Sequence, residues 1–100
     1  ATLGMLPREA AGIAAACAGA WDAAEVHFPT CLTLCDSTPI PISQGTTREF
    51  YADMLMERNA GDDRARAATF YADAAENYAQ VGLVLYASRL AEKRARLNLA

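Results

Sequence analysis

Three residues in one stretch could do chemistry together: His27, Cys31 and Cys35 recur every four positions, a spacing that lines them along one face of a helix. Imidazole and thiolate are ligands that suit zinc. Three ligands on a straight helix span about 12 Å, however, so one ion can join only two adjacent members. A Cys31–Cys35 disulfide meets a similar obstacle, because thiols one helical turn apart are wrongly aimed for a bridge. No Ser, Asp or Cys arrangement near His27 gives it a reaction to serve. With Cys17 the cysteine count is three. An odd count does not make a disulfide framework, and the thiols read most simply as reduced, buried, small apolar residues in a reducing compartment.

The remaining charged residues offer less. The acidic side chains are scattered as caps and solvated faces, and no Gly-rich phosphate loop, nucleotide fingerprint or paired metal-ligand box occurs. The sequence therefore predicts no catalytic residue, no cofactor and no metal. Arg89, Lys93, Arg94 and Arg96 crowd the C-terminal end, where they suit a helix C-terminus or a phosphate backbone. Glu92 interrupts that run and the net charge is −3, which argues against nucleic acid as the partner. No window approaches the ~20 apolar residues of a membrane span. A soluble, cytoplasmic piece of a longer protein is the expectation.

The elements that must position these residues are helical. Of 100 residues, 23 are Ala, whereas Val and Ile together number six, a balance that favours helices in close approach over any sheet. Pro7 and Glu9 suit a first turn, and Gly19 a helix end, so a first helix is expected over 5–18. Asp22 and Glu25 form a capping box for a second, along which Ala24, Phe28, Cys31, Leu32 and Cys35 recur at spacings of 3, 4 and 7, with a kink expected at Pro29. The string DSTPIPISQG over 36–45 reads as a long loop whose Ile40 and Ile42 fold back onto the core. A third helix starts at Ser43 or at Thr46, where Thr46 and Glu49 offer another capping box, and runs to about Asn59. Asp62 and Asp63 open a fourth that ends at Gly82, and a fifth carries Leu83, Tyr86, Leu90 and Leu97 on one stripe.

An internal repeat organises these helices. Ala24-x3-Phe28-x2-Cys31 in the second helix matches Ala67-x3-Tyr71-x2-Ala74 in the fourth. Two small residues seven apart share a helix face and let a neighbouring backbone approach, while the aromatic between them fills the space beyond. With Gly12, Gly19 in the turn and Trp21 opening the second helix, this pattern resembles the tetratricopeptide repeat (TPR), a 34-residue helix-turn-helix module. Ala67 lies 43 residues after Ala24, so insertions are expected in the 36–45 loop and in the 59–63 turn. The runs 19–28, 51–55 and 61–83 are similar to the TPR-like region of large bacterial regulators linked to ATPase, adenylate cyclase or kinase modules.

The resemblance implies an all-α fold of about five helices, antiparallel hairpins stacked as a short right-handed solenoid in one domain spanning 1–100. It also implies a concave groove formed by the first helix of each hairpin, with Glu9, Ile13 and Ala16, and Arg48, Tyr51 and Leu55 or Met56, lying near it. Two functions follow. The domain is a non-catalytic interaction scaffold whose groove takes a protein, a peptide or another domain of the same chain; or it is a structural segment that stacks on neighbouring repeats and relays conformation between sensor and effector. A homodimer through the first helix is a variant of the second.

Overall fold

A computed structural model describes residues 11–12, 14–15, 19–37 and 41–99. Among them are four α-helices and no strand: α1 (Trp21–Ser37), α2 (Pro41–Arg58), α3 (Asp63–Gln80) and α4 (Val84–Arg96). Residues 11, 12, 14 and 15 are also helical, within the span expected for the first of five helices; Glu9, Ile13 and Ala16 lie outside the described residues. The protein is all-α. It forms a slab of 35 × 33 × 19 Å in which each helix packs on its neighbours in the chain. No Cα of α1 comes within 8 Å of α3 or α4, and none of α2 within 8 Å of α4.

Local chemistry explains the helix ends. At the end of α3, Gly82 takes φ +73, a left-handed conformation that costs glycine nothing. There Gly82 N–H donates to the Ala79 carbonyl at 3.2 Å and Leu83 N–H to the Tyr78 carbonyl at 2.9 Å. This paired geometry satisfies two otherwise orphaned carbonyls and turns the chain directly into α4. Ala20 N–H reaches the Ala15 carbonyl past Gly19 in the same way, and Leu99 N–H the Arg94 carbonyl past Asn98.

The expected loop over 36–45 is corrected. α1 runs through Asp36 to Ser37 and α2 already starts at Pro41, leaving only 38–40 between them. Proline is preorganised for a first helical turn, where its missing N–H is not needed. Ile42 is half-buried on that turn and Ile40 falls outside the described residues. Thr46 and Glu49 therefore sit mid-helix and cannot form a capping box. Gly45 is also helical, and its lack of a side chain has a packing cause: a Cβ there would meet the Tyr78 ring at 2.4 Å. Gly12 repeats the arrangement with the Phe28 ring at 2.9 Å.

The core follows the small–aromatic–small pattern. Ala24, Phe28 and Cys31 of α1 and Ala67, Tyr71 and Ala74 of α3 are all buried, together with Ala52, Met54 and Leu55 of α2. The Tyr51 ring stacks between Phe28 at 5.4 Å and Phe70 at 4.6 Å, so one aromatic from α2 joins its two flanking helices. Each large side chain buried this way contributes roughly 1.5–3 kcal/mol. Trp21, half-buried, packs against the edge of this core.

Candidate functional site

Two polar clusters and one cleft bring the charged side chains together. The first cluster joins α1, α2 and α3. Arg58 Nε and Nη2 donate to Asp63 Oδ2 and Oδ1 at 2.7 and 2.8 Å, and Ala60 N–H donates to Oδ2 at 3.0 Å. Asp63 is 2% exposed, and the Arg58 hydrogen bonds, outweighing burial, bring its carboxyl down to about 2. Glu25 of α1 receives Arg58 at 3.0 Å, Arg66 at 3.1 and 3.3 Å, and the Tyr51 hydroxyl. Partial burial raises its carboxyl, but those donors from Arg66, Tyr51 and Arg58 hold it below its ordinary value. Burial, and the hydrogen bond to Glu25 after it, push the Tyr51 phenol up to about 12.

The second cluster joins α2, α3 and α4. Lys93 Nζ reaches Glu49 and lies 3.1 and 3.3 Å from the oxygens of Asp53. From α3, the Tyr71 hydroxyl donates to Asp53, and the Tyr78 hydroxyl to Glu49 at 2.8 Å. Burial raises the Asp53 carboxyl against the opposing pull of Tyr71 and Lys93, and the nearby Glu49 charge raises it further. Burial lowers the Lys93 amine, but Glu49 and Asp53 more than restore it, so the lysine is held in its charged form.

Beside this cluster, α2 and α4 diverge into a cleft of about 370 Å³. Phe50 and Thr46 of α2 line one side; Tyr86, Arg89, Glu92, Lys93 and Arg96 of α4 line the other, with Tyr78 and Glu49 completing it. Tyr86 meets Tyr78 edge-on at 5.3 Å and carries the Arg89 guanidinium 5.6 Å above its face. Arg89 and Arg96 are exposed, and no ion pair holds either among the described residues. Aromatic walls with exposed guanidinium groups make a recognition surface for apolar and anionic groups.

Of the described residues expected at a groove, Arg48, Tyr51 and Leu55 fall elsewhere. Arg48 pairs across to Asp36 of α1 at 3.0 Å. Tyr51 and Leu55 are buried, which corrects their assignment to an open face: α2 is covered on two sides, so its apolar stripe is too wide to leave them free. Glu25 is an interhelical acceptor rather than half of a capping box. Cys31 is buried with its Sγ 3.3 Å from Thr47 Oγ1, His27 is half-buried, and Cys35 is described by its backbone alone. No group of three His, Cys, Asp or Glu residues is arranged to hold a metal ion among the described residues, and among them no helix is long and apolar enough to cross a membrane.

The cleft itself was missed, although one signal for it was present. Arg89, Lys93 and Arg96 recur at spacings of four and three and so share one helix face; a C-terminal dipole explains cations in the last turn, not a stripe that begins two turns earlier. In comparisons with known proteins, no family model, no curated protein and no solved structure matches this chain.

Proposed function

We propose that this chain is a TPR-like, non-catalytic protein–protein interaction scaffold, working in the cytoplasm as part of a larger bacterial regulatory protein. One observation carries the reading: close backbone contact joins only helices adjacent in the chain, so α2 and α4 stand apart and leave between them a cleft that a ligand can enter. The matched small–aromatic–small seams and the two glycines pressed against aromatic rings support the repeat character. The test is selection of peptides from a displayed random library on the immobilised domain. Enriched peptides that lose binding on Tyr86→Ala are expected; failure of any peptide to enrich refutes the scaffold.

A second reading is a structural segment that stacks on adjoining repeats or on a second copy. It is favoured by Val84 and Leu85, which open α4 at 71% and 73% exposed, beside the exposed Val81. Light scattering across concentration separates the two: a constant monomer mass supports the scaffold, and self-association lost on Leu85→Ser supports stacking.

A further inference from the structure

The α2–α4 cleft offers more than an open face, because its chemistry selects a ligand. Resting on the scaffold reading, we infer that this cleft docks an acidic, extended peptide segment, with Arg89 and Arg96 receiving two of its carboxylates and an apolar side chain entering between Phe50 and Tyr86. Charge complementarity is the first argument. The third cation of the stripe, Lys93, is already engaged by Glu49 and Asp53, whereas the guanidinium groups of Arg89 and Arg96 are exposed and in no ion pair among the described residues. Planar guanidinium groups bind carboxylates in pairs of parallel hydrogen bonds.

Spacing is the second argument. Residues seven apart on a helix stand about 10.5 Å apart along its axis. An extended polyproline-type segment advances about 3.1 Å per residue and presents every third side chain on one face, about 9 Å apart. Acidic residues three apart therefore meet the two arginines, and the side chain between them faces the aromatic walls. The cleft volume of about 370 Å³ is at the small end for ligand pockets and fits one large side chain. Arg89, Lys93 and Arg96 face Glu49 and Glu92 in the same lining, and Glu49 is engaged by Lys93 and Tyr78; a balance positive by one charge suits two separated carboxylates held at the arginines rather than a continuous run of phosphates.

The probe is the fluorescein-labelled, C-terminally amidated peptide Gly-Glu-Pro-Phe-Glu-Pro-Gly, titrated with the full chain by fluorescence anisotropy. Saturable binding is expected, weakened at least tenfold when both glutamates are replaced by glutamine, at least tenfold by the double variant R89Q/R96Q, and severalfold between 0.05 and 0.5 M NaCl. Both arginines are exposed, so unchanged far-UV circular dichroism and melting of R89Q/R96Q show that the loss is one of recognition. The same peptide with a free C-terminus should bind equally; a strong preference for it would make the ligand a chain terminus and overturn the proposal. Equal binding of the glutamine peptide, or displacement of the probe by equimolar oligouridylate, would also overturn it. Library peptides that depend on Tyr86 but carry no acidic residue would sink this inference and leave the scaffold standing, whereas a library without binders would remove both.

Discussion

The two polar clusters tie the same stack of helices but balance their charges differently. Around Glu25 and Asp63, two arginines meet two carboxylates, and both carboxyls are held low. Around Glu49 and Asp53, one lysine serves two carboxylates, and the Asp53 carboxyl is raised by burial. Each cluster is completed by core tyrosines, Tyr51 in the first and Tyr71 with Tyr78 in the second, whose rings pack inward while their hydroxyls bind acid on the next helix. The first arrangement is a saturated clamp. The second keeps negative charge in excess on α2, and its one committed cation leaves the outer arginines of α4 unclaimed.

The largest test of this contrast is Arg58→Ala, which takes the two closest donors from buried Asp63 and leaves it the Ala60 N–H and Arg66 at 3.7 Å. We expect a loss of about 3–5 kcal/mol in urea unfolding at pH 7; a loss below about 1 kcal/mol would place the clamp among ordinary surface pairs. The pH dependence follows with its sign. Asp63 is held below its usual value of 3.8, so its stabilisation is complete above that pH and disappears as pH falls toward 2. Urea midpoints of the native chain should drop across that window, and Arg58→Ala should flatten the drop. Asp53 has the opposite sign: with its carboxyl raised, ionisation costs stability at neutral pH, and acidification relieves it.

Lys93→Met should cost roughly 2 kcal/mol at pH 7 by removing charged hydrogen bonds to both acids. Its cost should shrink as the pH falls and Asp53, whose carboxyl is raised, takes up a proton; a pH-independent loss would show the second cluster to be as well compensated as the first. Smallest is Gly45→Ala. On an open helix this change gains about 1 kcal/mol, but the 2.4 Å approach of Tyr78 should reverse the sign to a net loss of about 1 kcal/mol in thermal melts. Gly12→Ala, at 2.9 Å from Phe28, should lose less.

What the sequence made legible was periodic. Ala24, Phe28 and Cys31, and their counterparts Ala67, Tyr71 and Ala74, declare their helix face by spacing, and Gly19 and Gly82 declare where helices end. Two kinds of feature escaped. Proline-rich local chemistry was ambiguous at 36–45, where Pro41 opens a helix instead of prolonging a loop, and Gly45 answers to a ring 33 positions later. The polar clusters pair residues up to 44 positions apart, and nothing in local spacing says that Glu25 or Glu49 looks across to another helix rather than back to its own first turn.

Among the described residues, close backbone contact joins only helices adjacent in the chain, and α1 does not meet α4. The molecule's folding therefore needs little long-range loop closure, which places it among fast folders, and deformation at one end is passed on one joint at a time. We expect such a stack to flex like a leaf spring. Amide hydrogen exchange should record that compliance as a gradient, with protection greatest in the centrally placed α2 and α3 and falling toward the flank formed by α4.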